Sequence, residues 1–438
     1  MSALEKVVIE KLAFGGQGIA RIEGKVCFVD GVIPGEVVRV RIVKNKRDYS
    51  VGAVTKILEN SPHRITARCP VYLQCGGCQL QHVEYVHQVE LKKQVVVDTC
   101  KRIGGFEPTI EEAFSGQIWN YRNKAQLPVE NHRGIRVGYY RTGSHEVVEH
   151  ESCPINADAI NRALPVLKRR LAASKVSIYE EKSHGGSLRH LMIRAGTTTD
   201  QLHVTFVTKE VDLPTDLYSG LGTEIDGIVG ISHNINPERT NRTMGRDTAT
   251  LWGVEFIEER ILDRVFRFGP SSFFQVNTQI AEAMVKTAVE LLAPDGREVL
   301  FDLYAGVGTF GVSIADRVSK VIAIEESGEA ASYGIGNAER CGVKNVQFVK
   351  GRVEERLESV GPADAAIVDP PRKGLETIVI DQLGAKGPKK ILDVSCNPST
   401  FARDVKHFGA HGYRPGRCLI FDMFPQTYHI ESMCLLEK

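Results

Sequence analysis

The sequence predicts a multidomain protein with an OB-like N-terminal β-barrel, a central α+β domain and a C-terminal Rossmann-like α/β domain. Three observations predict it. At 438 residues the chain exceeds one ordinary core and calls for two to three domains. The first 60 residues alternate apolar and polar positions between glycine-containing turns. From about position 275 onward, apolar strands alternate with helical stretches, the pattern of an open sheet covered on both faces. These changes of pattern place the domains at 1–60, 61–265 and 266–438.

Composition narrows the class. Charged residues make up 25% and hydrophobic residues 42%, the proportions of a globular protein. No apolar run has the length of a membrane span, and Met1 to Lys11 holds no signal-peptide core, so a cytoplasmic chain without membrane contact is expected. The oligomeric expectation is a monomer. The net charge of +1 gives no global field for a polyanion and leaves that role to a local basic patch.

In the N-terminal part, Lys25–Val29 and Glu36–Arg41 read as short strands between turns at Gly15-Gly16, Gly24, Gly31 and Gly35. Five such strands make a small closed barrel of the oligonucleotide-binding type. Arg39, Arg41, Lys44, Lys46 and Arg47 fall in a stretch without an acid, which fits either a solvated hairpin tip or contact with phosphates. The central part is less legible: a helix is predicted over Val86–Ile103, and two strands over Leu188–Lys209 about a turn at Gly196–Asp200.

The C-terminal part is regular. Asn277 caps a helix running to Leu292. Strands follow at Val299–Leu303, Val321–Ile324, Val346–Val349, Ala365–Val368, Ile391–Val394 and Cys418–Phe421, with helices such as Ala330–Arg340 and Phe401–Phe408 between them, implying an open parallel sheet. Ligands of such sheets bind at the carboxyl ends of the strands. The first strand ends in the loop Asp302–Phe310, with Gly306 and Gly308 allowing close backbone approach, and the third glycine of a dinucleotide fingerprint is missing. The second strand ends at Glu325, whose carboxylate can accept two hydrogen bonds from a ribose diol. Together these features resemble the methyltransferase form of the fold, whose cofactor, S-adenosylmethionine, carries a ribose and no phosphates.

Two further strand ends carry chemistry. One runs into Asp369-Pro370-Pro371-Arg372, where the prolines stiffen the loop and restrict where Asp369 points. The other runs into Ser395-Cys396-Asn397-Pro398 and brings a thiol to the same crevice. Carbon 5 of uracil is too poor a nucleophile to take a methyl group directly. A thiolate adding to carbon 6 turns the ring into an enolate that can, and a base must then remove the carbon 5 proton before the thiolate leaves. Glu431, in the stretch Asp422–Glu431, is the candidate base, and His429 the second choice.

These residues carry a resemblance. Phe274-Gln275-Val276-Asn277, the Asp302–Phe310 loop, Glu325, Asp369–Arg372, Ser395–Pro398 and Asp422–Glu431 occur in the order found in the RNA 5-methyluracil methyltransferase family, and the chain is similar along nearly its whole length to the ribosomal RNA branch. The resemblance implies that Cys396 is the nucleophile and Glu431 the base. It implies that Gln275, Tyr304, Glu325 and Asp369 line the cofactor and uracil site, and that the barrel is a TRAM domain. Thr309 stands where Asn is common and can still hydrogen-bond the cofactor. Arg352 stands where Asn or Asp is common, and is not assigned a contact.

Cys69-x5-Cys75-x2-Cys78, with Cys153-Pro154 as a fourth ligand, suits a structural zinc or an iron–sulfur cluster. Radical S-adenosylmethionine enzymes use a tighter cysteine spacing, which excludes that mechanism. The resemblance implies a [4Fe–4S] cluster on these four cysteines. The bacterial transfer-RNA branch typically lacks both cluster and barrel, so the implied substrate is 23S ribosomal RNA. Cys27, Cys100, Cys341, Cys418 and Cys434 read as small buried hydrophobes rather than disulfide partners. Two alternatives stand beside this reading. An RNA cytosine-5 methyltransferase would usually place a cysteine where Asp369 stands, and a non-catalytic RNA-binding assembly factor would not need Cys396, Asp369 and Glu431 together.

Overall fold

The computed structural model describes residues 4–438. Strands Leu4–Val8, Lys11–Leu12, Gly18–Ile22, Lys25–Val29, Val37–Asn45 and Tyr49–Glu59 form one six-stranded sheet, one short strand more than expected. It closes on Val7, Ile9, Ala20, Cys27, Val29, Val38 and Val40. Strand periodicity puts Val38 and Val40 inside and Arg39 and Arg41 outside. Lys44, Lys46 and Arg47 are exposed as well, and among the described residues no carboxylate pairs with any of the five.

The central sheet has seven strands, ordered Val147–Glu149, Ile135–Tyr140, Lys124–Asn131, Leu188–Gly196, Gln201–Thr208, Ile228–Ile235 and Asp247–Gly253. Leu188–Gly196 and Gln201–Thr208 are the predicted hairpin about Gly196–Asp200. Helix Asp158–Ala173 buries Ile160, Ala163, Leu164, Leu167 and Leu171 against this sheet.

The C-terminal sheet has eight strands, ordered Val346–Lys350, Lys320–Glu325, Val299–Leu303, Ala365–Val368, Lys390–Ser395, Glu431–Glu437, Arg414–Phe421 and Ile110–Phe114. The first five are parallel, as expected. Arg414–Phe421 runs in the same direction, and an added strand that was not among the six expected ones, Glu431–Glu437, inserts before it antiparallel to both neighbours. The physical reason is the short return over 422–430. A parallel crossover needs about a dozen residues or more, and a shorter one can only reverse the chain.

Alternate side chains of the strands serve two cores. Phe301 and Leu303 face helices Thr377–Lys386 and Pro398–Ala410, while Leu300 faces helix Thr278–Leu292, whose start is capped by the Asn277 side chain accepting from the Ile280 amide at 3.5 Å. Segments far upstream complete both cores. Helix Tyr85–Thr99 contributes Leu91, Val95 and Val96 to the first, and hairpin Ile257–Phe268 contributes Ile257, Phe266 and Phe268 to the second.

Cys418 and Cys434 correct a second expectation. Read as isolated buried hydrophobes, they stand directly opposite each other on adjacent antiparallel strands, Cα atoms 4.2 Å apart, and are joined as a disulfide. Register put them together, and their 16-residue separation gave no sign of it.

One buried ion pair ties the upstream helix to the return over 422–430. Lys92 Nζ lies 2.6 Å from Asp422 Oδ1, with both side chains 3% exposed or less. Burial lowers the Lys92 pKa and the Asp422 carboxylate pulls it back up. Removing either partner leaves an uncompensated buried charge. Lys92→Met and Asp422→Leu should therefore each cost roughly 3–5 kcal/mol in urea unfolding, and the double variant much less than the sum. Additive losses would mean the two charges do not stabilise each other.

Candidate active site

The loop after Val299–Leu303 is shaped by its backbone. Tyr304, Gly306 and Gly308 all adopt positive φ, at 63°, 56° and 85°, which brings the chain sharply round the strand end. Asp302 is buried beneath it and accepts from the Gly311 amide at 2.8 Å. A Cβ on Gly311 would stand 2.6 Å from that same carboxylate oxygen, so glycine is required there. Burial, and then the charge of Glu325, push Asp302 up to about 7.

A narrow cleft opens above this loop, lined by Phe273, Gln275, Ala281, Met284, Tyr304–Val307, Thr309, Phe310 and Asp369. Four of the five predicted cofactor residues therefore meet in one place: Gln275, Tyr304, Thr309 and Asp369. Glu325 stands outside that lining at the next strand end. Its two oxygens accept from the Gly306 amide at 2.8 Å and the Ser327 amide at 2.7 Å, and each keeps a second lone pair for a diol. Tyr304 donates to Glu354 at 3.3 Å. Arg352 is drawn into pairs with Glu354 and Glu376, at 3.5 and 3.3 Å. Phe273, exposed to 64% at the rim, was not anticipated from sequence, since a single aromatic before Phe274 gives no sign of facing outward.

The central domain holds the Gln275 stretch in place. Asn123 donates its side chain to the Gln275 carbonyl and its amide to the Val276 carbonyl, at 2.9 and 3.0 Å. The fully buried Arg194 donates to the carbonyls of Pro270, at 3.0 Å, and Ser272.

Cys396 and Glu431 come together because of the reversed strand. Ser395 pairs with Ser432, so Glu431, first residue of its strand, falls beside the residue that follows Ser395. Burial, then the charges of Glu431 and Asp369, push the Cys396 thiol up to about 12, and the Arg372 guanidinium opposes them. Glu431 is buried and raised well above the usual carboxylate range by desolvation and by Asp369. Asp369 itself is pushed up to about 7 by burial and the charge of Asp302. His429 is held down to about 3 by burial and by Arg372, Lys92 and Arg122, which makes it the weaker proton acceptor of the two candidates.

Asn397 caps the helix that follows Cys396, its side chain accepting from Ser399 at 3.0 Å and donating to the Arg372 carbonyl at 3.2 Å. The thiol loop and the Asp369–Arg372 loop are thus fastened to each other.

The four predicted cluster cysteines, Cys69, Cys75, Cys78 and Cys153, line a single cavity of about 190 Å³. Arg122, Tyr139, His150, Thr427 and His429 share its wall. Among the described residues, the three-ligand groups with donor atoms within 4.8 Å of one another do not include these cysteines. Four sulfurs on one zinc, at about 2.3 Å each, would lie about 3.8 Å apart. The set is wider than a zinc tetrahedron. His150, buried on the same wall, has no hydrogen-bond partner on either ring nitrogen.

A crevice at the strand ends with this loop, acid and thiol defines an S-adenosylmethionine-dependent methyltransferase. Residues 246–438 match the tRNA (uracil-5-)-methyltransferase family and residues 5–55 match the TRAM domain. The chain is 37% identical over 429 residues to an uncharacterized RNA methyltransferase of Clostridium tetani, covering 96% of this chain and 93% of that one. It is 38% identical to another from Synechocystis, covering 99% and 95%. The solved structure of Pyrococcus abyssi tRNA (uracil-54, C5)-methyltransferase with S-adenosyl-L-homocysteine aligns with a TM-score of 0.80 and 32% identity, over 99% of this chain and all of that one. The chain belongs to the RNA uracil-5-methyltransferase family, and no helix among its described residues is long and apolar enough to cross a membrane.

The raised thiol has a measurable consequence. In cofactor-free protein, alkylation of Cys396 followed by peptide mass spectrometry should accelerate about tenfold for each pH unit above neutrality, because only the thiolate reacts. Arg372→Met should slow it further. A rate already level near neutrality would show an ionised thiol.

Proposed function

We propose that this enzyme methylates carbon 5 of a uridine in a structured RNA by covalent catalysis at Cys396. The observation that carries the reading is the meeting of Cys396 and Glu431 at adjoining strand ends, beside Asp369 and the cofactor cleft. S-adenosylmethionine, held by Gln275, Tyr304, Thr309, Glu325 and Asp369, supplies the methyl group. The Cys396 thiolate adds to carbon 6, and the ring's negative charge makes carbon 5 a nucleophile. Once carbon 5 is methylated, Glu431 takes its remaining proton, the carbon 5–carbon 6 double bond reforms and the thiolate leaves. Burial raises Glu431, and a carboxylate with a raised pKa is the stronger base.

Cys396→Ala should abolish methyl transfer, whereas Glu431→Gln should trap the protein–RNA adduct, because the amide cannot accept the carbon 5 proton. Denaturing electrophoresis reads the trapped band. Normal product release by Glu431→Gln would move the base role elsewhere.

Two targets are distinguished by their supporting observations. The four-cysteine set and the barrel favour 23S ribosomal RNA. The Pyrococcus enzyme, named for transfer RNA, matches this chain over its full length, so the barrel alone does not separate the two. Nucleoside analysis of separately purified 23S and transfer RNA, from cells with and without this protein, decides between them. Loss of 5-methyluridine from neither would overturn both.

The four cysteines fit a [4Fe–4S] cluster by donor chemistry and by their wide spacing around one cavity. Aerobic or anaerobic purification should give a brown protein containing iron, and Cys78→Ser should lose the colour. Stoichiometric zinc without iron would reject the assignment.

A further inference from the structure

Helices Thr377–Lys386 and Pro398–Ala410 pack together on one face of the methyltransferase sheet through Val379, Ile380 and Leu383 and through Phe401, Val405 and Phe408. Their outer edge carries a group that methyl transfer does not use. His407 lies in the last turn of the second helix and His411, four positions on, at its C-cap, so their rings lie on the same side. Both aim Nε2 at the same oxygen of Asp381 on the other helix, at 3.2 and 2.8 Å. The three donor atoms lie within 4.8 Å of one another, and the two rings stack with centroids 5.7 Å apart.

The neighbouring backbone makes room for this arrangement. Gly384 lies one turn after Asp381, and a Cβ there would stand 2.4 Å from Nδ1 of His411. Glycine inside a helix is less favourable than alanine. Here the space it leaves is the seat of the imidazole, and the seat fixes where Nε2 points.

We propose that Asp381, His407 and His411 form a binding site for a late first-row divalent cation of the zinc, cobalt or nickel class. Two imidazoles and one carboxylate suit these ions, whereas calcium and magnesium prefer oxygen donors. Zinc bonds of about 2.0–2.1 Å in a tetrahedron put donor atoms about 3.3 Å apart, close to the spacing already present. Three protein ligands leave a position for water. His407 lies about 14 Å along the helix from Pro398 at 1.5 Å per residue, too far to touch the reacting thiol. The ion acts as a clip. The helices it joins are those that follow the Asp369 and Cys396 loops, so it fixes the middle of the first against the far end of the second.

The test is titration of the full-length enzyme with cobalt(II), read by visible ligand-field absorption and by the shift of the thermal unfolding midpoint. The four-cysteine cavity is told apart by its thiolate-to-cobalt charge-transfer band. Wild-type protein should take up one cobalt without that band and melt at a higher temperature. His407→Ala/His411→Ala should lose this equivalent, with affinity weakened at least about a hundredfold. Gly384→Ala keeps every ligand but fills the seat, and should weaken binding at least about tenfold while its metal-free melting stays unchanged or rises. Equal uptake and affinity in the double variant, or no cobalt bound outside the cysteine cavity in wild type, would overturn the proposal.

Discussion

Neither Lys92 nor Asp422 can reach water, so each must satisfy its charge inside the protein. They do so with help from Tyr85, which donates to Asp422 at 2.8 Å, and from the Phe424 carbonyl, which accepts from Lys92 at 3.2 Å. This set closes only if helix Tyr85–Thr99 lies against the return that leads to Glu431. Gln88 and Gln426 then exchange two amide hydrogen bonds, with Gln426 held at a φ of 71°. The amides of Gln79 and Leu80 both donate to the Gln426 carbonyl, and Tyr121 donates to that of Pro425. The start of the strand Glu431–Glu437 is therefore located by groups more than 300 positions upstream.

The return is too short for a crossover, and this sets the chemistry. A parallel last strand would have begun at the far side of the sheet from the cleft. Reversed, it begins at the cleft, and its first residue is the buried Glu431. Asp302 and Asp393 end up buried on strands and Asp369 half-buried at the end of the strand between them, so desolvation raises all four acids. Arg372 is the cation set against them, lowering both Cys396 and Glu431. The same loop that presents Asp369 thus supplies the counter-charge, and its tie to Asn397 keeps that charge near the thiol.

Local pattern made much of this legible. Val299–Leu303 and Ala365–Val368 appear at their expected bounds because short apolar runs bounded by polar turns have one stable outcome in a doubly wound sheet. The strand-end residues were legible for the same reason, as was the four-cysteine spacing. Long-range relations were not. The apolar run after Glu431 fits a strand of either direction, and only the return length decides. Cys418 meets Cys434 through register. Lys92 reads as one more surface lysine on helix Tyr85–Thr99 until Asp422 is placed beside it. Asp381 and the two histidines lie on different helices, and a His-x3-His spacing by itself is common.

The cysteine cavity and the methylation site share a wall, and this gives the cavity's contents a mechanical consequence. Thr427 and His429 line it, and Glu431 follows two residues later. Three of the four thiols, Cys75, Cys78 and Cys153, resist ionisation there because burial disfavours the thiolate. Burial and the neighbouring sulfurs push Cys78 up to about 12 and Cys153 up to about 11. Backbone amides hold the cysteine segments in place, Cys69 donating to the Gln81 side chain and Cys153 to that of Asn161, both at 3.0 Å. A multivalent cationic centre would ionise the thiols and draw Cys69, Cys75, Cys78 and Cys153 to set distances. Because the Cys78 segment also holds Gln426 through Gln79 and Leu80, that contraction would pass directly to the return. A centre held there would stiffen the approach to Glu431.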